Sequence, residues 1–164
     1  MERVLVTGAC GQLGSELSVA LAQRHGEQNV IVSDLSPAVP LIAHLPYQHL
    51  DVLDKKRLQQ IVDEHQITQI YHLAALLSAK GEQNPHFAWQ LNMDGLINVL
   101  EVARSTQLNR VFWPSSIAAF GAHTQMQNTP QYTIMDPNTI YGISKLSGEL
   151  WCNYYHQKYQ LDVR

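Results

Sequence analysis

Tyr141 and Lys145 stand four residues apart in "NTIYGISKLSGELW", at what reads as the start of a helix. Residues at that spacing share a helical face, so this phenol and this ammonium can reach one molecule. Ser115 and Ser116 come earlier, closing the apolar run "RVFWPSS". Groups of these types suit removal of a proton from an alcohol. A phenolate accepts the proton, a nearby ammonium favours the phenolate by its charge, and a serine hydroxyl orients the alcohol oxygen. The hydride leaving the same carbon then needs an acceptor beside it. YxxxK is common by chance, so its weight depends on the elements that position it.

Those elements alternate. "RVLVT" (3–7), 29–34, a short run within "YQHLDVLD", 67–75 and 110–116 read as strands, with Pro114 ending the last. Between them, helices are expected over 12–24, through "KKRLQQIVDEH" after an Asp54 cap, and over about 85–106. The first should turn Leu13, Leu17, Ala20, Leu21 and Arg24 to one face. The second should bury Leu58, Ile61 and Val62, and the third Leu91, Leu96, Val99, Leu100 and Val102. A polar loop over 122–136 leads to a last helix, capped by Asp136 or Thr139 and running to about His156. This order predicts one α/β domain over 1–164, a Rossmann-type doubly wound parallel sheet with helices on both faces.

Ligands of such sheets bind beyond the carboxyl ends of the strands. After the first strand, "TGACGQLG" spaces Gly8, Gly11 and Gly14 three apart. Small residues there let a pyrophosphate approach the backbone, and the free N–H groups of the helix start, at Gln12, Leu13 and Gly14, face it. Asp34 follows the second strand, placed to bond both hydroxyls of an adenosine ribose and to repel a 2′-phosphate. Residues 35–40 offer no arginine or lysine to hold such a phosphate, so NAD is expected over NADP. Asp51 is placed for an adenine amino group and Val52 for its ring. Leu73, Ala74 and Ala75 let the cofactor lie against the end of the fourth strand. Ser78 lies where a substrate could meet a hydroxyl.

The 164 residues, 45% hydrophobic and 15% charged with a net charge of −3, fit one globular domain and point away from nucleic-acid or anionic-membrane partners. Cys10 and Cys152 lie far apart, and the histidines show no HxxxH or HExxH, so no metal site is expected. Cys10 sits in the glycine loop as a small filler, or as a slightly acidic thiol. A strand beginning near residue 1 argues against a signal peptide, and a cytoplasmic location is expected, mitochondrial in a eukaryote. "YQLDVR" reads as a strand just begun, as if the chain were the N-terminal half of a longer enzyme.

"TGACGQLG", Asp34, "SS" and "YGISK" resemble the extended short-chain dehydrogenase/reductases, which include nucleotide-sugar epimerases and dehydratases. "LLSAKGEQNP" and "FWPSSIAAFG" are more particular, and are similar to the epimerase-like L-threonine 3-dehydrogenases. The resemblance implies Tyr141 as general base with Lys145 beside it, and Ser116, five residues before Gly121, as the catalytic hydroxyl. Asn92 would steady the active site, and Tyr141 and Lys145 would also touch NAD. The substrate implied is L-threonine, met by Ser78, Ser116 and Tyr141, and oxidised to 2-amino-3-oxobutanoate. Members of the family continue into a substrate-binding lobe that this sequence lacks. By analogy, Tyr154, Tyr155 and Tyr159 face that lobe or a second subunit in a homodimer. Two other readings stand beside this one: a UDP-sugar 4-epimerase or dehydratase, and a non-catalytic NAD-binding module.

Overall fold

A computed structural model describes residues 2–164. Five strands form one parallel sheet in the order β3-β2-β1-β4-β5. They are β1 (Val4–Thr7), β2 (Val30–Asp34), β3 (Tyr47–His49), β4 (Gln69–His72) and β5 (Arg110–Phe112). The order reverses beside β1, where β2 lies on one side and β4 on the other. That reversal opens a crevice at the carboxyl ends.

Alternation along the strands sorts the core into two layers. Val4, Val6, Val30 and Val32 point to one face and pack under α1 (Gln12–His25). Leu5, Ile31, Ile70 and Val111 point to the other, beneath α2 (Lys55–Glu64), α5 (Gly95–Ser105) and α6 (Ile140–Tyr159). Asp54 caps α2 by accepting from the Arg57 amide at 2.9 Å, and Leu58, Ile61 and Val62 are buried as the spacing predicts.

One expectation needs correction. The buried face of α1 is Gly14, Ser15, Ser18, Leu21 and Ala22, while Leu13 is 71% exposed. The helix meets the glycine loop so closely that small residues must face it, and Ser18 disposes of its hydroxyl on the Gly14 carbonyl (2.6 Å). The segment around Ser78 is helical, α3 (Ser78–Gln83). The long helix expected over about 85–106 is present and runs without a break from Pro85 to Ser105, as α4 (Pro85–Trp89), a π-helical turn at Gln90–Asp94, and α5.

Beyond β5, Val163 pairs with Val111 in parallel, and Arg164 N–H donates to the Val111 carbonyl at 2.9 Å. The strand read in "YQLDVR" therefore lies against β5. Among the described residues no helix is long and apolar enough to cross a membrane.

Candidate active site

A cleft of about 580 Å³ opens at the carboxyl ends, lined by the loops after β1, β2, β3 and β4. Gly8 has a φ of +70°, and a Cβ there would lie 2.5 Å from the Ala74 nitrogen, so only glycine lets the β1 loop meet the β4 end. Gly11 begins α1 without any side-chain cap, which leaves the first-turn amides free for an anion. Asp34 accepts from the Cys10 amide and the Ser36 amide, both at 3.0 Å, which fixes its carboxylate at the cleft wall. Asn98 holds the Val52 carbonyl at 3.0 Å and so anchors the loop after β3 from α5. A glycine cradle, free amides and a fixed carboxylate fit a dinucleotide with an unphosphorylated ribose.

Around the first turns of α6 lies the second group. Thr139 caps the helix by accepting from the Gly142 amide (3.0 Å), and Glu82 of α3 accepts from the Ile140 amide (2.8 Å). Asp136 does not cap; it pairs with His123. Lys145 is 4% exposed, its ammonium donating to the Pro114 carbonyl at 2.6 Å and lying 5.6 Å from the Tyr141 ring centroid. Burial pushes its pKa down to about 8. Tyr141 is half-buried on the same face. Ser116 begins the short turn Ile117–Ala119 and accepts from the Ala118 amide (3.2 Å). Ser115 is exposed and bonded to Glu149.

Gly8, Gly11, Asp34, Asp51, Val52, Leu73, Ala74 and Ala75 thus share one cleft. Gln12 and Leu13 are exposed at the α1 start, and Gly14 is buried against the loop. Asn92 is 5% exposed and fully engaged: it accepts from the Leu76 amide (2.7 Å) and donates to the Leu76 carbonyl and to Ser144. Ser144 in turn donates to the Tyr141 carbonyl at 2.7 Å, so Asn92 ties the loop after β4 to the helix carrying Tyr141. Ser78 is exposed at the start of α3 and does not line the cleft.

Sequence reasoning did not place Lys80, Phe87 and Leu91 at the cleft wall, where the structure puts them. It also missed the buried His72, whose Nδ1 meets Thr7 Oγ1 at 2.7 Å while Nε2 has no partner among the described residues. The Cys10 thiol is less acidic than usual, raised by burial and by the Asp34 charge, so the acidic alternative fails.

This sheet order, with its glycine loop on the first crossover and a carboxylate after β2, defines a dinucleotide-binding α/β protein. The sequence profile of the NAD dependent epimerase/dehydratase family matches residues 4–164. The chain belongs to that family, whose cofactor is NAD. It is 46% identical over its whole length to an "uncharacterized epimerase/dehydratase" of Staphylococcus epidermidis, covering 52% of that protein. Among solved structures, the GalE-like L-threonine dehydrogenase of Cupriavidus necator in its holo form is 54% identical, with a TM-score of 0.96 over 99% of this chain and 53% of that one. The L-threonine dehydrogenase of Clostridium difficile is 48% identical, with a TM-score of 0.96 over 100% and 52%. UDP-glucose 4-epimerase from Brucella ovis, solved with NAD, is 24% identical with a TM-score of 0.86 and shares the fold. The chain spans about half the length of the relatives it matches.

Proposed function

We propose that this chain is the cofactor-binding and acid–base half of an NAD-dependent L-threonine 3-dehydrogenase. The observation that carries the reading is the 54% identity to the Cupriavidus necator enzyme across nearly the whole chain.

When bound, NAD supplies the hydride acceptor. Gly8, Gly11 and the α1 amides would receive its diphosphate, Asp34 its adenosine ribose, and Asp51 and Val52 its adenine. Ser116 donates its hydroxyl proton to the threonine hydroxyl oxygen and fixes the C–O direction. Tyr141 would take the hydroxyl proton on its phenolic oxygen as the alcohol is oxidised at the same carbon. Lys145 holds positive charge beside the phenol and keeps protons free for the nicotinamide ribose. Ser78 meets the amino acid. The products are 2-amino-3-oxobutanoate and NADH, with the hydroxyl proton passing to solvent through Tyr141.

Leu150, Trp151, Tyr154 and Tyr159 leave an exposed apolar strip on α6, beside a hollow of about 490 Å³. A second copy of the chain covers it in a homodimer.

NADH formation from NAD and L-threonine tests the reading, with the chain alone and with the chain fused to the C-terminal remainder of the Cupriavidus necator enzyme. Threonine-dependent NADH in either arm, lost in Tyr141→Phe, supports it. Fusion protein that binds NAD but leaves threonine untouched sinks it.

A further inference from the structure

Lys145 is buried, yet it forms no ion pair among the described residues. A bare ammonium in such a place costs several kcal/mol unless something else attracts it. The structure supplies an aromatic face: Lys145 Nζ lies 4.2 Å from the ring centroid of Trp113, well inside cation–π range. Trp113, 8% exposed, follows β5 and is wedged against the backbone of α6 at Gly148, where a Cβ would lie 2.6 Å from the ring carbon Cζ2. Glycine at 148 is what lets the indole reach the ammonium.

We propose that Trp113 is a positioning residue for Lys145, its indole face holding the ammonium beside Tyr141 and keeping it charged without a carboxylate. The choice of partner has a chemical consequence. An ammonium has three protons, and Pro114 takes one. A carboxylate would compete for the other two, whereas a ring face attracts the charge and leaves them free for the cofactor and the phenol side. The role given to Lys145 rests on the proposed function, but its contact with Trp113 is measurable without turnover.

The other groups around the ammonium are Tyr141, Cys152 and, one turn along, Glu149 on its own helix, with His72 on β4. His72 stays neutral down to about pH 3, and burial pushes the Cys152 thiol up to about 12, so neither changes charge near the Lys145 midpoint. Glu149 is bonded to Ser115 and shares a hollow with Trp113 and Cys152. A Tyr141→Phe background removes the phenol from the titration.

In that background, NMR of ¹³Cε-labelled lysine gives the Lys145 midpoint for the parent, Trp113→Phe, Trp113→Leu and Gly148→Ala, each checked for folding by melting. Loss of the quadrupole in Trp113→Leu should lower the midpoint by about one pH unit, with Trp113→Phe between the two. Gly148→Ala keeps the tryptophan but displaces its ring, and should shift the same way as Trp113→Leu. Equal midpoints in Trp113→Phe and Trp113→Leu would reduce Trp113 to a space-filler and overturn the proposal. If Trp113→Leu does not fold, an unmoved midpoint in both Trp113→Phe and Gly148→Ala has the same force. A calorimetric NAD titration of the parent reads the function separately: its failure leaves the midpoint order intact.

Discussion

At the scale of single residues, the site holds its working groups under tension between solvation and use. Lys145 titrates near 8 in the folded chain against 10.5 unfolded, because burial disfavours its charge. Between those values the unfolded chain binds the extra proton, so this group makes stability rise with pH from about 8 to 10.5. Lys145→Met should lose that rise and gain up to roughly 3 kcal/mol at neutral pH, read by urea unfolding, while turnover disappears. The Asp34 carboxylate is held at the cleft wall by the amides of Cys10 and Ser36, and the proposed function gives it the adenosine ribose. Asp34→Asn keeps one acceptor for those amides but removes the charge, and should weaken NAD about tenfold while narrowing its lead over NADP in paired calorimetric titrations. Asp34 was picked out by its place at a strand end and Lys145 by its spacing behind Tyr141, and neither reading needs tertiary knowledge. The Trp113 contact was not, because nothing in "FWPSS" says which helix backbone lies beneath the indole.

Elements then bring these residues to one place. Asn92 sits in the π-helical turn between α4 and α5 and bridges the Leu76 backbone to Ser144 on α6. Asn92→Ala leaves the Leu76 amide and carbonyl without that partner, a loss of about 1–3 kcal/mol and a melting point several degrees lower by scanning calorimetry. Aspartate at the same position adds a buried charge and should be worse still. The strands and α2 were readable because their periodicity is set locally by the alternation of Val, Leu and Ile or by 3.6-residue spacing. The face of α1 was not, since close approach to the glycine loop selected small residues over Leu13. Nor was the π-helical turn that carries Asn92, since nothing in the 3.6-residue spacing marks it.

For the whole molecule, the sheet order and family membership follow from a pattern spread over the entire chain. The buried His72, neutral to about pH 3 when folded but near 6.5 when unfolded, makes the fold acid-sensitive above the carboxylate range, while Glu101, held down to about 2 by its bonds from Arg104 and Tyr155, adds to the loss below about 4.5. Below about 6.5 the unfolded chain takes up a proton that the folded chain refuses, so stability falls progressively from there toward pH 3. Urea midpoints between pH 6.5 and 4.5, above the carboxylate range, should show the slope in the parent and lose most of it in His72→Gln. If the proposed homodimer forms through the exposed face of α6, substituting Trp151 and Tyr154 by glutamate should give a monomer in sedimentation where the parent sediments as a dimer, and a parent that is already monomeric would contradict the dimer. The most direct test remains the absorbance of NADH in a mixture of NAD, L-threonine and the chain fused to the C-terminal remainder of the Cupriavidus necator enzyme. Threonine-dependent NADH formation that falls by about 10²–10⁴-fold in Tyr141→Phe, with NAD binding retained, is the predicted result. A folded, NAD-binding fusion that forms no NADH from threonine, or that loses nothing in Tyr141→Phe, would contradict it.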